Sequence, residues 1–252
     1  MDPKLYKYLD IDGAIMMLYY KTLQFTNATQ MNDLFDCHPS LIDFSNVPED
    51  RTRVWGKDAI VKLEANRFER SRDSAWICSL SKVHNSLLMW SYYNKHTGVC
   101  IGLDMEKTRK YTSTMMGKII IGCMEWDVQY KDILEKPDYF KRTEDFFHYQ
   151  MTTKSSEWEH EKEVRLISYD PYPTYMRPLP DQSDKKRPIP WKEVRAFLEI
   201  GGECFESLYL GVNVDEKKKE EIIKIARTCN PEIKIYQMHV DPEAFRLKEV
   251  LL

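Results

Sequence analysis

The chain is made of short segments with the alternating or apolar pattern of β-strands, separated by charged stretches with the composition of α-helices. The two kinds of segment do not alternate regularly, as they would in the βαβ units of a parallel sheet. Short strands with helices on the outside are typical of an α+β fold. The predicted strands cover residues 5–9, 23–26, 75–81, 99–104, 118–123, 128–130, 158–167, 207–211 and 233–238.

The predicted helices and loops complete this organisation. Six prolines and few apolar residues between positions 169 and 190 predict an exposed loop at about residues 170–190. No internal repeat is visible, so we predict one domain over residues 1–252. The predicted helices cover residues 12–20, 49–73, 85–93, 138–156 and 216–228.

Composition excludes several classes of protein. The formal net charge is -3 with 31% charged residues, so no global field attracts nucleic acid or an anionic membrane. The first residues, MDPKLYKYLD, lack the pattern of a signal peptide. No stretch approaches the roughly 18 apolar residues of a membrane helix. We therefore expect a soluble, cytoplasmic protein that does not act at a membrane.

Cysteine and histidine spacing gives no metal-ligand pattern. The six cysteines form no C-x-x-C pair, and the six histidines form no H-E-x-x-H motif. Cys78 and Cys100 lie in apolar, strand-like segments, so buried free thiols in a reducing compartment are expected. We predict no metal site.

The run WEHEKEVRLI at residues 158–167 is the most informative candidate site. In a β-strand, Glu161, Glu163 and Arg165 share one face, while Val164 and Leu166 share the other and can enter a core. Two close carboxylates raise the pKa of each other, and a neighbouring arginine lowers both. Such tuning is typical of a site that stabilises a cation or moves a proton. An edge strand with a solvated charged face is the alternative.

Two further groups could contribute to a site. Ser79 and Ser81 share one face of their predicted strand and could position a carboxylate or a ribose. Tyr6, Lys7 and Tyr8 offer aromatic rings for stacking and a cation for phosphate. Each group also has a purely structural interpretation. The serines can bond to neighbouring loops, and the tyrosines can pack in the core. The loop NDLFD at residues 32–36 is predicted to be clamped by Asx hydrogen bonds.

These motifs together resemble the DUF2971 family of bacterial and phage-associated proteins over about residues 5–247. The resemblance rests on LYKY, MNDLFDC, CSLSK with LLMWSYYNKHTGVCIGLD, K-x-x-x-W-x-x-EKEVRLI, LYLGVNV and KIYQ with FRL. The motif order is also similar to that of the ADP-ribosyltransferase superfamily, which has an Arg or His, a serine motif and Glu-x-Glu on successive strands. In this chain Lys7 stands where that superfamily has Arg or His. The resemblance implies split, mostly antiparallel sheets with peripheral helices.

The resemblance further implies cleavage of the N-glycosidic bond of NAD+, by an ADP-ribosyltransferase or an NAD glycohydrolase. Glu163 would stabilise the oxocarbenium-like ribose and hold its 2′-hydroxyl, while Glu161 would orient or deprotonate the acceptor. The implied NAD+-binding residues are Tyr6, Lys7, Tyr8, Ser79, Ser81 and Arg165. The acceptor is a protein, a nucleic acid or water, and a regulatory or antitoxin partner protein is compatible with a phage-defence or toxin system.

Two other functions fit the same residues. One is a non-catalytic nucleotide-sensing or partner-binding module, in which Glu161, Glu163 and Arg165 form an internal salt-bridge network. The other is a Mg2+-dependent nuclease that uses these glutamates and a further acid such as Asp36 or Asp104. The sequence lacks G-x-G-x-x-G, P-loop, G-x-S-x-G and kinase motifs, which argues against a Rossmann dehydrogenase, an NTPase and an α/β-hydrolase.

Overall fold

A computed structural model describes residues 3–92, 94–113, 121–142, 144–169 and 195–252. The predicted proline-rich loop at residues 170–190 lies outside the described residues. The strands of the described part are β1 Lys4–Leu9, β2 Thr22–Asn27, β3 Ala75–Ser81, β4 Val99–Asp104, β5 Ile121–Asp127, β6 Gln129–Lys131, β7 Thr153–Ser155, β8 Glu163–Tyr169, β9 Arg195–Glu199, β10 Phe205–Leu210, β11 Lys234–Val240 and β12 Leu247–Leu251. Its helices are α1 Ile11–Tyr20, α2 Glu49–Thr52, α3 Lys57–Ser74, α4 Leu87–Tyr92, α5 Met105–Ser113, α6 Phe146–Thr152 and α7 Glu216–Cys229.

Ten of these strands form one large sheet in the order β12-β11-β10-β4-β1-β3-β2-β9, with β8 paired to β3 and β5 paired to β8. Every pair in this sheet is antiparallel except β10 with β11. The short strands β6 and β7 pair in parallel beside it. The prediction of an α+β fold with mostly antiparallel strands is confirmed.

The sheet divides at β3. Strand β8 pairs along the whole length of one edge of β3, so β1 and β2 must share the other edge of β3. β1 reaches only Ser81 at one end of that edge, and β2 pairs with Trp76 and Ile77 towards the other end. The end of β3 at Ser81 therefore lies between β1 and β8.

The two faces of the sheet are covered differently. Leu5, Leu103 and Leu208 belong to the main core, which also includes Leu18 of α1 and Ile222 of α7. The opposite face carries two smaller apolar clusters, one containing residues of α4 and the other a residue of α6. Because side chains alternate along each strand, polar residues of β3 and β8 lie between these two clusters.

Three predicted elements are wrong in part. The predicted helix at 49–73 is divided into α2 and α3, and residues 118–120 of the predicted strand at 118–123 lie outside the described residues. The predicted strand at 158–167 begins only at Glu163, because Ser156–Glu161 forms a 3-10 helix and Lys162 adopts a left-handed φ of 44°. The predicted helix at 138–156 is broken, because the Asp145 side chain accepts a hydrogen bond from the backbone N–H of His148 and starts α6. The sequence analysis does not predict strands β7, β9 and β12 or helix α5.

Other sequence predictions concern thiols and membranes. All six cysteines are free, and five are buried while Cys123 is half-buried. The expectation of buried free thiols therefore holds for those five. None of the helices in the described ranges is long and apolar enough to cross a lipid bilayer.

Candidate functional site

Strands β1, β3 and β8 bring Tyr6, Tyr8, Ser79, Ser81, Glu163 and Arg165 to one face of the sheet. Lys7 alternates with the two tyrosines and leaves β1 from the other face. Tyr6 lies opposite Ser81, and Ser81 lies opposite Glu163. Two residues away along β3, Ser79 lies opposite Arg165. Directly opposite residues in antiparallel strands project from the same face. Residues that are about 80 positions apart in the sequence thus meet.

A small cavity of about 40 Å3 lies at this meeting point. Arg165 does not line it. Tyr8 covers one side, and its hydroxyl donates to the backbone carbonyl of Val83 at 3.1 Å. The Lys7 ammonium donates to the backbone carbonyl of Ser79 at 2.8 Å. The cavity is lined by Tyr6, Lys7, Tyr8, Ser79, Leu80, Ser81, Met89, Glu161 and Glu163.

Arg165 lies behind the cavity, with none of its side chain exposed. Its guanidinium donates to both carboxylate oxygens of Asp36 at 2.8 Å and to both of Glu163 at 2.9 and 3.1 Å. It also donates to the backbone carbonyl of Met151 at 2.7 Å. These contacts use all five N–H groups of the guanidinium. The expectation that Arg165 contacts NAD+ is therefore not supported, because no donor remains for a ligand.

Lys154 is a member of this cluster that sequence reasoning missed. It extends from β7, and its ammonium lies 2.6 Å from Glu161 Oε2, 3.2 Å from Glu163 Oε2 and 4.0 Å from Asp36 Oδ2. It also lies 5.0 Å from the centre of the Trp158 ring. Burial lowers the pKa of Lys154, but the three carboxylates outweigh burial and raise it. Lys154 is therefore a permanent cation at the centre of the cluster.

The sequence predicts for Asp36 only a place in a clamped loop or, in a nuclease, a metal-binding role. Its loop is indeed clamped, because Asp33 Oδ1 accepts from the N–H of Phe35 at 3.0 Å. The carboxylate of Asp36 is fully buried and pairs with Arg165. The run MNDLFDC therefore supplies a structural anion to the same cluster.

The buried cluster holds three carboxylates, on Asp36, Glu161 and Glu163, and two cations, on Lys154 and Arg165. With all five groups ionised, it carries one excess negative charge. A buried excess charge is costly. This charge therefore favours either a proton on one carboxylate or a cation in the adjacent cavity.

The two glutamates differ in their electrostatics. Burial raises the pKa of Glu163, but Arg165, Lys154 and a hydrogen bond from Ser79 outweigh burial and lower it to about 2. Burial raises the pKa of Glu161 by more than Lys154 lowers it, so its pKa stays above the ordinary value. Glu161 is the carboxyl that exchanges a proton more easily.

The two glutamates also differ in how many of their acceptor positions are filled by hydrogen bonds. Glu163 accepts from Arg165, Lys154 and Ser79, which fills its acceptor positions. This arrangement argues against the expectation that Glu163 holds a ribose hydroxyl. Glu161 Oε2 accepts from Lys154, and among the described residues no donor is recorded for Oε1.

Ser81 fixes the backbone beside Glu161. Its hydroxyl donates to the backbone carbonyl of Glu161 at 2.7 Å and accepts from the N–H of Val83 at 3.1 Å. The left-handed conformation of Lys162 then turns the chain into β8. The two glutamates therefore reach one site from a 3-10 helix and a strand, and not from one strand as predicted.

Comparison with known proteins gives one match. Residues 89–166 match the model of a family described as "Protein of unknown function (DUF2971)". The match covers less than half of the chain and supports the resemblance to this family over that range. It includes Lys154, Glu161, Glu163 and Arg165, whereas the predicted residues of β1 and β3 lie outside it. No curated protein and no solved structure shows a significant match to the chain.

Proposed function

We propose that this protein cleaves the bond between nicotinamide and ribose in NAD+, as an ADP-ribosyltransferase or an NAD glycohydrolase. One observation carries the proposal: Tyr6, the two serines of β3 and the two glutamates face one cavity from neighbouring elements. This spatial order follows the motif order of the ADP-ribosyltransferase superfamily, which the sequence resembles. The divided sheet agrees with the split fold implied by that resemblance.

The charge of the cluster suits this reaction. When the C1′–N bond breaks, nicotinamide leaves with the bonding electron pair, and positive charge develops on the ribose. A preorganised anion beside the ribose stabilises that charge. The excess negative charge of the cluster lies at the wall of the cavity, where Glu161 and Glu163 are exposed to it. An acceptor oxygen then bonds to C1′ and loses its proton.

We assign the reacting carboxylate to Glu161 and a supporting role to Glu163. Glu161 has a raised pKa and lines the cavity, which suits a group that takes the acceptor proton. Glu163 acts through its negative charge, because Arg165, Lys154 and Ser79 keep its carboxylate ionised. Tyr6 or Tyr8 stacks on a ring of NAD+, and Lys7 lies near the cavity for phosphate.

Binding requires the cavity to open. Its volume of about 40 Å3 holds a water molecule or two, whereas cofactor-sized ligands occupy roughly 300–1,000 Å3. Met89 of the short helix α4 forms part of the wall. Ser86, just before α4, donates to the backbone carbonyl of His160 at 3.4 Å. The proposal therefore includes displacement of α4 when NAD+ binds.

A direct assay tests the proposal. Purified protein is incubated with NAD+ in EDTA, and free nicotinamide is measured by mass spectrometry. Glu161→Gln keeps the shape of the side chain and removes its charge, so we expect a rate loss on the order of 100-fold or more. Glu159→Gln is the matched control, because its carboxylate is half-exposed and pairs with Lys162. No nicotinamide release, or a Glu161→Gln rate within a few-fold of wild type, would contradict the proposal.

A second candidate is a non-catalytic nucleotide-sensing or partner-binding module. The observation that favours it is the pairing of Asp36, Glu163 and Arg165 inside the protein, as in a network that fixes the sheet. In that case Glu161→Gln changes stability, and NAD+ stays intact with wild-type protein.

A Mg2+-dependent nuclease is less well supported. Asp36, Glu161 and Glu163 do converge, but the Lys154 ammonium lies among their oxygens, where a divalent ion would have to bind. Asp104 lies elsewhere, at the end of β4, where it pairs with Lys107. Metal-dependent cleavage of nucleic acid that disappears in Glu161→Ala would favour the nuclease.

We place this activity in the cytoplasm, in a phage-defence or toxin system restrained by a partner protein. The free thiols agree with a reducing compartment. The acceptor is a protein, a nucleic acid or water. ADP-ribose adducts on each class, measured by mass spectrometry after incubation with cell extract, identify it.

A further inference from the structure

A second, larger cavity of about 630 Å3 lies at the other end of β8. Tyr169 lines it at the end of this strand, whereas Glu163 begins the strand at the candidate site. Six residue steps of a β-strand span roughly 20 Å. The two sites are therefore separate, and the volume of the second suits a small organic ligand without rearrangement.

The wall of this cavity offers faces for a planar ring. Phe68 of α3, Met124 of β5, Phe147 of α6 and Tyr169 of β8 all line it. The rings of Phe147 and Tyr169 pack edge to face with centres 5.9 Å apart. Aromatic rings and methionine are the groups on which a nucleobase stacks or packs. These residues come from four different elements, so the cavity is defined by the fold and not by one loop.

Two arginines give the same cavity a positive charge. Arg67 of α3 and Arg142, which follows a short 3-10 helix, both line it. Arg67 is only a distant partner of the Glu64 carboxylate, at 3.9 Å. That carboxylate lies closer to the Tyr139 hydroxyl, at 2.9 Å, and to Arg51, at 3.5 Å. The Arg67 side chain is 73% exposed and is therefore available to an anion.

Electrostatics at Tyr139 supports this arrangement. Burial and the hydrogen bond to Glu64 raise the pKa of Tyr139, while the charges of Arg67 and Arg142 lower it. Both guanidinium groups thus act on the same hydroxyl at the cavity wall. Arginine is the side chain best suited to bind a phosphate through two parallel hydrogen bonds.

We propose that this cavity binds a mononucleotide, with its base against Phe147 and Tyr169 and its phosphate at Arg67 and Arg142. The residues that carry this inference do not line the candidate site, so it is independent of the proposed function. The chain then has a nucleotide-binding site that is separate from the candidate site.

Titration calorimetry with AMP tests the inference. We expect wild-type protein to bind AMP with a dissociation constant below about 1 mM, and adenosine at least about tenfold more weakly, because it lacks the charge-assisted contacts. Arg67→Gln and Arg142→Gln should each weaken AMP binding by about tenfold. Arg70→Gln is the matched control, because Arg70 is an exposed residue of the same helix. Ser71→Trp should block binding by filling the cavity, since Ser71 lines it.

AMP binding by these variants shows at which of the two sites the nucleotide binds. Retention of AMP binding in Glu161→Gln, with loss in the arginine variants, supports the inference even if NAD+ is never cleaved. Absence of AMP binding to wild-type protein would overturn it. Loss of AMP binding in Glu161→Gln, with full binding in Arg67→Gln and Arg142→Gln, would place the nucleotide at the candidate site and would overturn it equally.

Discussion

Replacement of Lys154 by methionine is the sharpest test of the buried cluster. Methionine keeps a similar length and removes the ammonium, which lies 2.6 Å from Glu161 and 3.2 Å from Glu163. The cluster then keeps three carboxylates but only one cation, Arg165, instead of two. Removal of one partner from a buried ion pair costs about 3–5 kcal/mol, because the remaining charge loses its compensation. For a chain of this size, that corresponds to a fall in Tm of about 10 °C.

Lys162→Met is the matched control for this prediction. Lys162 also pairs with a glutamate at 2.7 Å, but both side chains are about half-exposed. An exposed pair contributes about 1 kcal/mol or less. Urea denaturation followed by circular dichroism measures the free energy of unfolding of both variants. Equal losses of stability in Lys154→Met and Lys162→Met would refute the argument that the cluster is a buried, charge-balanced unit.

Three further predictions concern the glutamates and the cavity. The folded-state pKa of Glu163 is lowered to about 2, so its contribution to stability is present above the unfolded pKa of 4.5 and is lost as the pH falls towards 2. Between pH 6 and pH 2, wild type should lose on the order of 2–3 kcal/mol more than Glu163→Gln in acid denaturation, and an equal loss would contradict this. Glu161 has a raised pKa and must be ionised to take a proton, so NAD+ turnover should fall at acidic pH from a midpoint above 4.5, and a rate independent of pH would contradict its role. Met89→Ala should lower KM for NAD+ several-fold while destabilising the protein by about 2–5 kcal/mol, because Met89 closes the cavity, and an unchanged KM would argue against opening at α4.

The sequence predicted part of the candidate site for a clear physical reason. Alternation along a strand places Glu163 and Arg165 on one face, and it does the same for Ser79 and Ser81. β8 and β3 are strands, so these predictions follow from local pattern alone. Glu161 reaches the same site by another route, through the left-handed residue Lys162.

The remaining members of the cluster could not be predicted from local pattern. Asp36 contacts Arg165 across 129 positions of the chain, and such a contact depends on how strands and loops pack. Lys154 is only seven positions from Glu161, but the predicted helix at 138–156 includes it, whereas α6 ends at Thr152 and Lys154 lies in β7. Asp145 caps the start of α6, but the sequence gives no comparable signal for its end before Lys154.

The measurement that tests the central claim most directly is the fate of NAD+ in 18O-labelled water. We predict one nicotinamide released for each NAD+ consumed, with the remaining ADP-ribose carrying 18O at C1′ or bonded to an acceptor. Mass spectrometry distinguishes these products. Intact NAD+ after prolonged incubation, or cleavage of the pyrophosphate to AMP and nicotinamide mononucleotide, would contradict the proposed reaction at this site.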